Sequence, residues 1–308
     1  MASKKQLSNH AFTIVELLVV IVVIGILAAI TIVSYSGVTN RASIASIQSD
    51  LSSAATALKL DQVTNSAFPA TLALANGGKG IIPSQSLDNI IYVPDNTSNP
   101  NNFCLEYMKG ANTYAVDSTS QPLKGVCLAN LVTNSIFATT ANWNNYYASL
   151  SAASNTLTAI GNVTPRTSFT TYQDTTTPIV LNKKCYISAR VRTTSNGVSS
   201  IYIVGRGSTS GIIGQRTVVT TSNPTKDIWY SVSGVITLND AGTTGNLEVL
   251  IHLGSSDTNT LVMEVQQVMA IDLTATFGAG NEPTKAQMDT IMSTYPNSWF
   301  NIVAKANL

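Results

Sequence analysis

Few residues of this 308-residue chain have types and spacing that could do chemistry, and the first is a lone acid in an oily run. Glu16 sits near the head of AFTIVELLVVIVVIGILAAITIV, Ala11 to Val33, which carries no other charge. An ionised carboxylate in hydrocarbon costs roughly 2 to 4 kcal/mol even on lenient insertion scales, so it implies a partner or a function. The only histidines are His10 and His252. A Ser-His-Asp or Cys-His catalyst would have to rest on His252, and no nucleophile-elbow motif stands near it. On the polar face of its strand, His252 reads as a solvated or hydrogen-bonded residue. No Cys/His cluster has zinc spacing and no P-loop occurs, so neither metal nor cofactor is expected. Glu248, Glu264 and Asp272 would make an acid pair only if the fold joined them, and no spacing signals that it does. The expectation is a chain without catalytic residues.

Composition narrows the class. Charged residues make up 11% of the chain and net charge is +1, against roughly 25% charged in ordinary soluble proteins. No electrostatic footprint for nucleic acid exists. Low charge with Thr/Asn-rich, strand-like stretches reads as an extracellular surface protein. Three cysteines, Cys104, Cys127 and Cys185, allow one disulfide and one leftover thiol. Cys185 alternates with Ile187, Ala189 and Val191 on the apolar side of a strand, the setting of a buried, unreactive thiol.

These residues need elements to position them. The apolar run is long enough for a membrane-crossing helix, and MASKKQLSNHA before it bears only Lys4 and Lys5, cations that stay cytoplasmic. From Arg41 to Leu60 the apolar residues Ile44, Ile47, Leu51, Ala54, Ala55 and Leu58 recur at spacings of three and four, which continues the helix with one face to be covered. Cover is available in three short strands, Ile90 to Val93, Phe103 to Met108 and Thr113 to Asp117. Thr64 to Gln85, rich in Ala, Gly and Pro, reads as the loop between helix and sheet.

The leader and FTIVELLVVIVVIGILAAI resemble the prepilin signal and N-terminal helix of type IV pilins and pseudopilins. The resemblance implies cleavage between Ala11 and Phe12, methylation of the new amine at Phe12, and Glu16 as counter-ion to that amine in its own or a neighbouring subunit during filament assembly. It implies prepilin peptidase, the assembly platform and other pilin subunits as partners, with the membrane as host before assembly. The family's usual Gly before the scissile bond is Ala11 here, and its mid-helix Pro is absent, leaving Gly25 as a weak point of the helix. The bland alternative is an uncut anchor, which leaves Glu16 unexplained. The pilin resemblance also supports a Cys104 to Cys127 disulfide stapling the end of the head, over two free thiols, with about 3 kcal/mol of stabilisation from loop closure.

From Asn130 the chain changes character. NLVTNSIFATTANW resembles the start of carbohydrate-binding-module-like jelly rolls, and eight or so strand-like segments follow at short, turn-punctuated intervals. Leu247, Val249, Ile251 and Leu253 share one strand face against Glu248 and His252, while Met263, Val265, Met269, Ile271 and Leu273 are read as keeping one phase along the last strand. FGAGNEPT and the final Trp-Phe resemble a tail on jelly-roll modules of phage tail and other surface proteins. Thr284 and Gln287 have capping-box spacing, and Met288, Ile291, Met292 and Tyr295 make one apolar helix face, so a lid docked on the sandwich is expected, with Trp299 and Phe300 as core anchors. Ala138 stands where such modules often have an acid for calcium, so calcium is not predicted.

Jelly rolls of this kind hold glycans on exposed aromatics, which stack on apolar sugar faces while polar neighbours bond hydroxyls. Trp143, Tyr146 and Tyr147, interleaved with Asn142, Asn144 and Asn145, have that mixture, and Trp229 is a second candidate. The expected organisation is a leader (1–11), an N-terminal membrane and filament-core helix (12–60), an α+β pilin head (61–128) of one long helix on a small antiparallel sheet, and an all-β jelly roll with a short C-terminal helix (129–308). The function expected is a structural subunit of a type IV pilus, minor or at the tip, displaying a module that adheres to surface glycan or protein. The alternatives are a pseudopilin of a secretion or DNA-uptake machine and a membrane-tethered glycan-active enzyme. The chain would begin in the inner or cytoplasmic membrane and end on the cell surface.

Overall fold

The computed structural model describes residues 14–98, 100–161, 168–178, 180, 182–207, 216–238, 245–255, 260–295, 299–300 and 302–307. Helix α1 (Ile14–Asn65) is continuous for 52 residues, about 78 Å at 1.5 Å per residue. It runs unbroken through Gly25 and five residues past the expected end. Its first part, Ile14–Thr31, has a mean hydropathy of 3.0, with none of it buried, and is long and apolar enough to cross a membrane. Its second part buries Ile47, Leu51, Ala54, Ala55 and Leu58 against Phe103, Leu105, Tyr107 and Val116, so the stripe read from the sequence does meet a sheet. The segment between is pinned rather than loose. Asp61 accepts from the N–H groups of Asn76 and Gly77, and Asp50 from the N–H and hydroxyl of Ser84. A single 3-10 turn (Leu72–Leu74) and the short α2 (Ala75–Gly78) lie there.

The head sheet has five strands: β1 (Asn89–Asp95), β2 (Asn102–Lys109), β3 (Asn112–Asp117), β4 (Leu123–Ala129) and β15 (Val303–Asn307), in that order. The first three match the expected strands. β4 pairs with β3 only at Tyr114–Lys124 and Ala115–Leu123. Beyond that point Cys127 lies with its Cα 5.7 Å from that of Cys104, to which it is disulfide-bonded. The Cys127 N–H donates to the buried Glu106 carboxylate at 2.7 Å.

β15 departs from the expected division at residue 129. Val303 to Asn307 pair antiparallel with Ala129 to Gly125, so the last strand of the chain belongs to the head and the sandwich is inserted between two neighbouring strands of one sheet. The sequence reading missed it because VAKAN is short and the lone Lys305 breaks its apolar character. In the fold, Lys305 Nζ donates to the Gln121 carbonyl at 3.2 Å.

The sandwich has two antiparallel sheets of five. One has the order β11 (Arg216–Ser222), β10 (Val198–Gly207), β13 (Asn246–Ser255), β8 (Ser168–Pro178), β5 (Asn144–Tyr146). The other has β12 (Tyr230–Thr237), β9 (Lys184–Thr193), β14 (Val262–Asp272), β7 (Thr156–Gly161), β6 (Ala148–Ala153). This is the expected jelly roll. Between the sheets lie Ile187, Val191, Ile201, Ile203, Val249, Ile251, Met263 and Val265, among others. Cys185 joins this core as a buried free thiol, its pKa pushed up to about 12 by burial. At Gly205 the sheets come so close that a Cβ would collide with Ile236 Cδ1 and stand 2.9 Å from Ile187 Cδ1.

The single phase expected along β14 is corrected by a bulge. The register shifts between Gln266 and Met269, with Gln267 at φ 56°, so Val268 and Ala270 take over the inward face. Met269, Ile271 and Leu273 then point away from the sandwich interior, where one extra residue has reversed the alternation. They enter a second core with Val126, Leu128, Tyr186, Ala304 and Ala306, completed by Met288, Met292 and Phe300. Helix α3 (Leu273–Phe277) is capped by Asp272, and α4 (Lys285–Met292) has the expected capping box of Thr284 and Gln287. The lid is therefore mortar between head and sandwich as well as a cover on the sandwich.

Candidate functional site

The outward residues of β10, β13 and β8 stand in register rows. Arg206, Glu248 and Asp174 form one row; Val204, Leu250 and Tyr172 the next; Tyr202, His252 and Thr170 a third. β5 adds Asn144 beside Tyr172 and Tyr146 beside Thr170. The rows bring two aromatic stacks onto one open face: Tyr146 on Tyr172 at 4.8 Å and Tyr202 on His252 at 4.6 Å between centroids. Outward-facing Val204 and Leu250 stand in the row between them and are buried.

Polar contacts hold these rings in place. Arg206 Nε donates to Glu248 Oε1 at 2.5 Å, its guanidinium lies 5.8 Å from the Tyr146 centroid, and its Nη2 donates to the Tyr146 hydroxyl at 3.4 Å. Glu248 is 2% exposed. Burial pushes its carboxyl up, Arg206 pulls it down and Asp174 pushes it up again, the net being upward. Burial also lowers the His252 pKa, favouring the neutral ring, and Thr170 Oγ1 lies 2.8 Å from its Nδ1. Tyr172 is held at about 12 by burial first and by the Tyr146 hydroxyl second. The result is a preorganised shelf of flat apolar surface edged by hydroxyl, amide, imidazole and carboxylate groups.

Of the four aromatics named from the sequence, one lies on this face. Tyr146 is there and 44% exposed. Tyr147 is exposed at the turn between β5 and β6, with φ 62°. Trp143 is corrected: it is 6% exposed, packed at 5.2 Å on Phe137, with its indole N–H buried and without a hydrogen-bond partner among the described residues. Trp143 belongs to the sandwich core, where burying its large apolar ring is worth more than leaving it on the surface. Trp229 stands just before β12, half-buried, its ring against the guanidinium groups of Arg190 (5.0 Å) and Arg192 (4.8 Å) on the outer face of the opposite sheet. The four residues do not make one site.

Tyr172, Tyr202, Arg206 and His252 were not singled out as binding residues. Their signal lay in the alternation: His252 and Glu248 oppose the apolar phase of β13, and Tyr202 opposes Ile201 and Ile203. Only strand pairing shows that these outward residues are neighbours.

The acids do not converge either. Glu248 faces out from the β13 sheet, Glu264 pairs with Arg192 on the outer face of the other sheet, and Asp272 is bound to Lys183 at 2.6 Å. No cluster of three metal-ligating side chains occurs among the described residues. At the other end of the molecule, Glu16 lies in the first turn of α1. His10, Ala11 and Phe12 lie outside the described residues.

Residues 7–32 match the family model described as the prokaryotic N-terminal methylation motif. Ala11, Phe12, Glu16 and Gly25 all fall within the motif. No curated protein matches the chain. Among solved structures the chain is similar to one described as CBM4, at 14% identity over 42% of this chain and 94% of that one, with a TM-score of 0.33. It is also similar to a CBM61 module in complex with beta-1,4-galactotriose, at 11% identity over 46% and 98% of the two chains and a TM-score of 0.34. A third is the N-terminal cellulose-binding domain of Cellulomonas fimi beta-1,4-glucanase C, at 11% identity over 42% and 88% with a TM-score of 0.32.

Proposed function

We propose that this chain is a type IV pilin-like filament subunit, minor or at the tip, whose inserted sandwich binds neutral glycan on the face of Tyr146, Tyr172, Tyr202 and His252. The methylation motif and the exposed apolar half of α1 support the assembly half. Before assembly, Ile14–Thr31 lies in the membrane; after cleavage at Ala11, it packs into the filament core, with Glu16 answering the amine of Phe12 so that neither charge is buried alone. A sandwich of this bulk on every subunit would crowd a filament, which favours a minor or tip position and display at the cell surface.

One observation carries the binding half: two stacked aromatic pairs share an open sheet face with hydroxyl and amide groups around them. Flat rings fit the apolar faces of sugars, and the surrounding groups match their hydroxyls. No catalytic step is included, since Glu248, Glu264 and Asp272 are each engaged and lie apart.

The test is an array of neutral oligosaccharides probed with the full chain in detergent micelles. Binding should fall about tenfold in Tyr172→Ala and in Tyr202→Ala; absence of any bound glycan, or unchanged binding by both variants, refutes the binding half. Sequencing of the cell-envelope protein should begin at Phe12. A chain that begins at Met1 refutes the assembly half, and Glu16→Val should insert in the membrane yet drop out of filaments.

A further inference from the structure

The opposite outer face, that of β12, β9 and β14, is closed at one end by the lid and head and open at the other. Where the two halves meet lies a cleft of about 200 Å³, lined by Ser188, Arg190, Ser231, Gln267, Asp289 and Trp299. The β14 bulge places Gln267 there, at φ 56°. Its side chain and those of Ser188 and Ser231 make no hydrogen bond within the described residues. Arg190 is the cation of the cleft. Its guanidinium leans on Trp229 at 5.0 Å and donates to Gln266 Oε1 at 3.4 Å, but it has no carboxylate partner among the described residues. The nearby acids are engaged: Arg192 pairs with Glu264, and Lys285 pairs with Asp289, which also accepts from Tyr186 and Ser233. The lining carries one cation, Arg190, and one anion, Asp289, whose charge is answered by Lys285 outside the cleft, so one positive charge is left over around it. Trp299 commits its indole N–H to the Val268 carbonyl at 3.5 Å and supplies a flat wall.

We propose that this cleft is a second binding site, for the acidic unit of a glycan, a uronic acid being the simplest case. The guanidinium fork of Arg190 takes the sugar carboxylate in two parallel hydrogen bonds. Ser188, Ser231 and Gln267 both donate and accept, as vicinal hydroxyls require, and Trp299 covers an apolar ring edge. The volume equals that of about six or seven waters, which suits one sugar ring. Sitting on the other sheet, the site stands or falls independently of the neutral-glycan face.

Ligand-observed NMR titration of the full chain in detergent micelles, using glucuronic acid, glucose and acetate as probes, tests the assignment. Glucuronate should bind about tenfold or more tightly than either glucose or acetate, and more weakly as salt rises. Arg190→Gln should cost about tenfold in glucuronate affinity. Ser231→Trp, a change at an exposed position that fills the cleft, should abolish binding, while Tyr172→Ala should leave it unchanged. If Arg190→Gln does not fold, Ser231→Trp decides. Failure of glucuronate to bind, equal binding of glucose or acetate, or full binding by Ser231→Trp overturns the proposal.

Discussion

The backbone N–H of Asn130 donates to the carbonyl of Ile302 at 2.7 Å, so the chain enters and leaves the sandwich at one point. The Asn130 side chain reinforces the junction, accepting from the Val132 and Ala270 N–H groups and donating to the Val268 carbonyl. A head sheet that closes only when β15 arrives makes Val303–Asn307 part of the head.

Ala306 is 1% exposed and pairs with Val126. Ala306→Pro should cost about 3 kcal/mol through the lost ladder bond and steric clash. Removal of 303–308 should do more, since it also strips the shared core of Ala304 and Ala306. The melting midpoint and protease nicking near the head measure both. A sandwich fragment cut at Asn130 would carry β15 without its partner strand.

The Cys104–Cys127 bridge closes a separation of 23 residues. Loop entropy assigns it about 3 kcal/mol. Reduction, or the double change Cys104→Ser with Cys127→Ser, should lower the unfolding free energy read from denaturant melts by that amount, and thiol counting should find Cys185 protected until the sandwich unfolds.

Glu106 is buried, with its pKa raised to about 7 by desolvation, partly offset by the Cys127 N–H. Below about pH 4.5 it is protonated in both folded and unfolded chains. Above that, the unfolded chain releases its proton first, so unfolding gains ground until about pH 7 and the loss then stays constant. The head should lose about 3 kcal/mol across this window. Glu106→Gln keeps a carbonyl acceptor for Cys127 and should flatten the profile, read by urea melts at several pH values.

Trp143→Ala should cost about 3 to 5 kcal/mol, because it empties a core position beside Phe137. Whatever fraction remains folded should bind at the Tyr172 face as before. Calorimetric melting alongside glycan titration separates the two effects.

The N-terminal motif, the helix stripe from Ile47 to Leu58, the disulfide pairing, the capping box of Thr284 and the two-faced strands were all legible in the residues. The motif and the disulfide pairing were read through a family resemblance; the stripe, the cap and the two-faced strands depend on contacts close in sequence or on a strong periodicity, which local physics writes directly. Three features belong to the tertiary structure. The β14 bulge at Gln267 reverses a phase that period-2 counting carries straight through. β15 finds its partner across the whole sandwich, a pairing set by where the chain returns. The stacking of Tyr146 on Tyr172 and of Tyr202 on His252 joins rings separated along the chain, since strand order decides which outward residues become neighbours. Local periodicity determines which way a side chain faces, and only the packed fold decides what it faces.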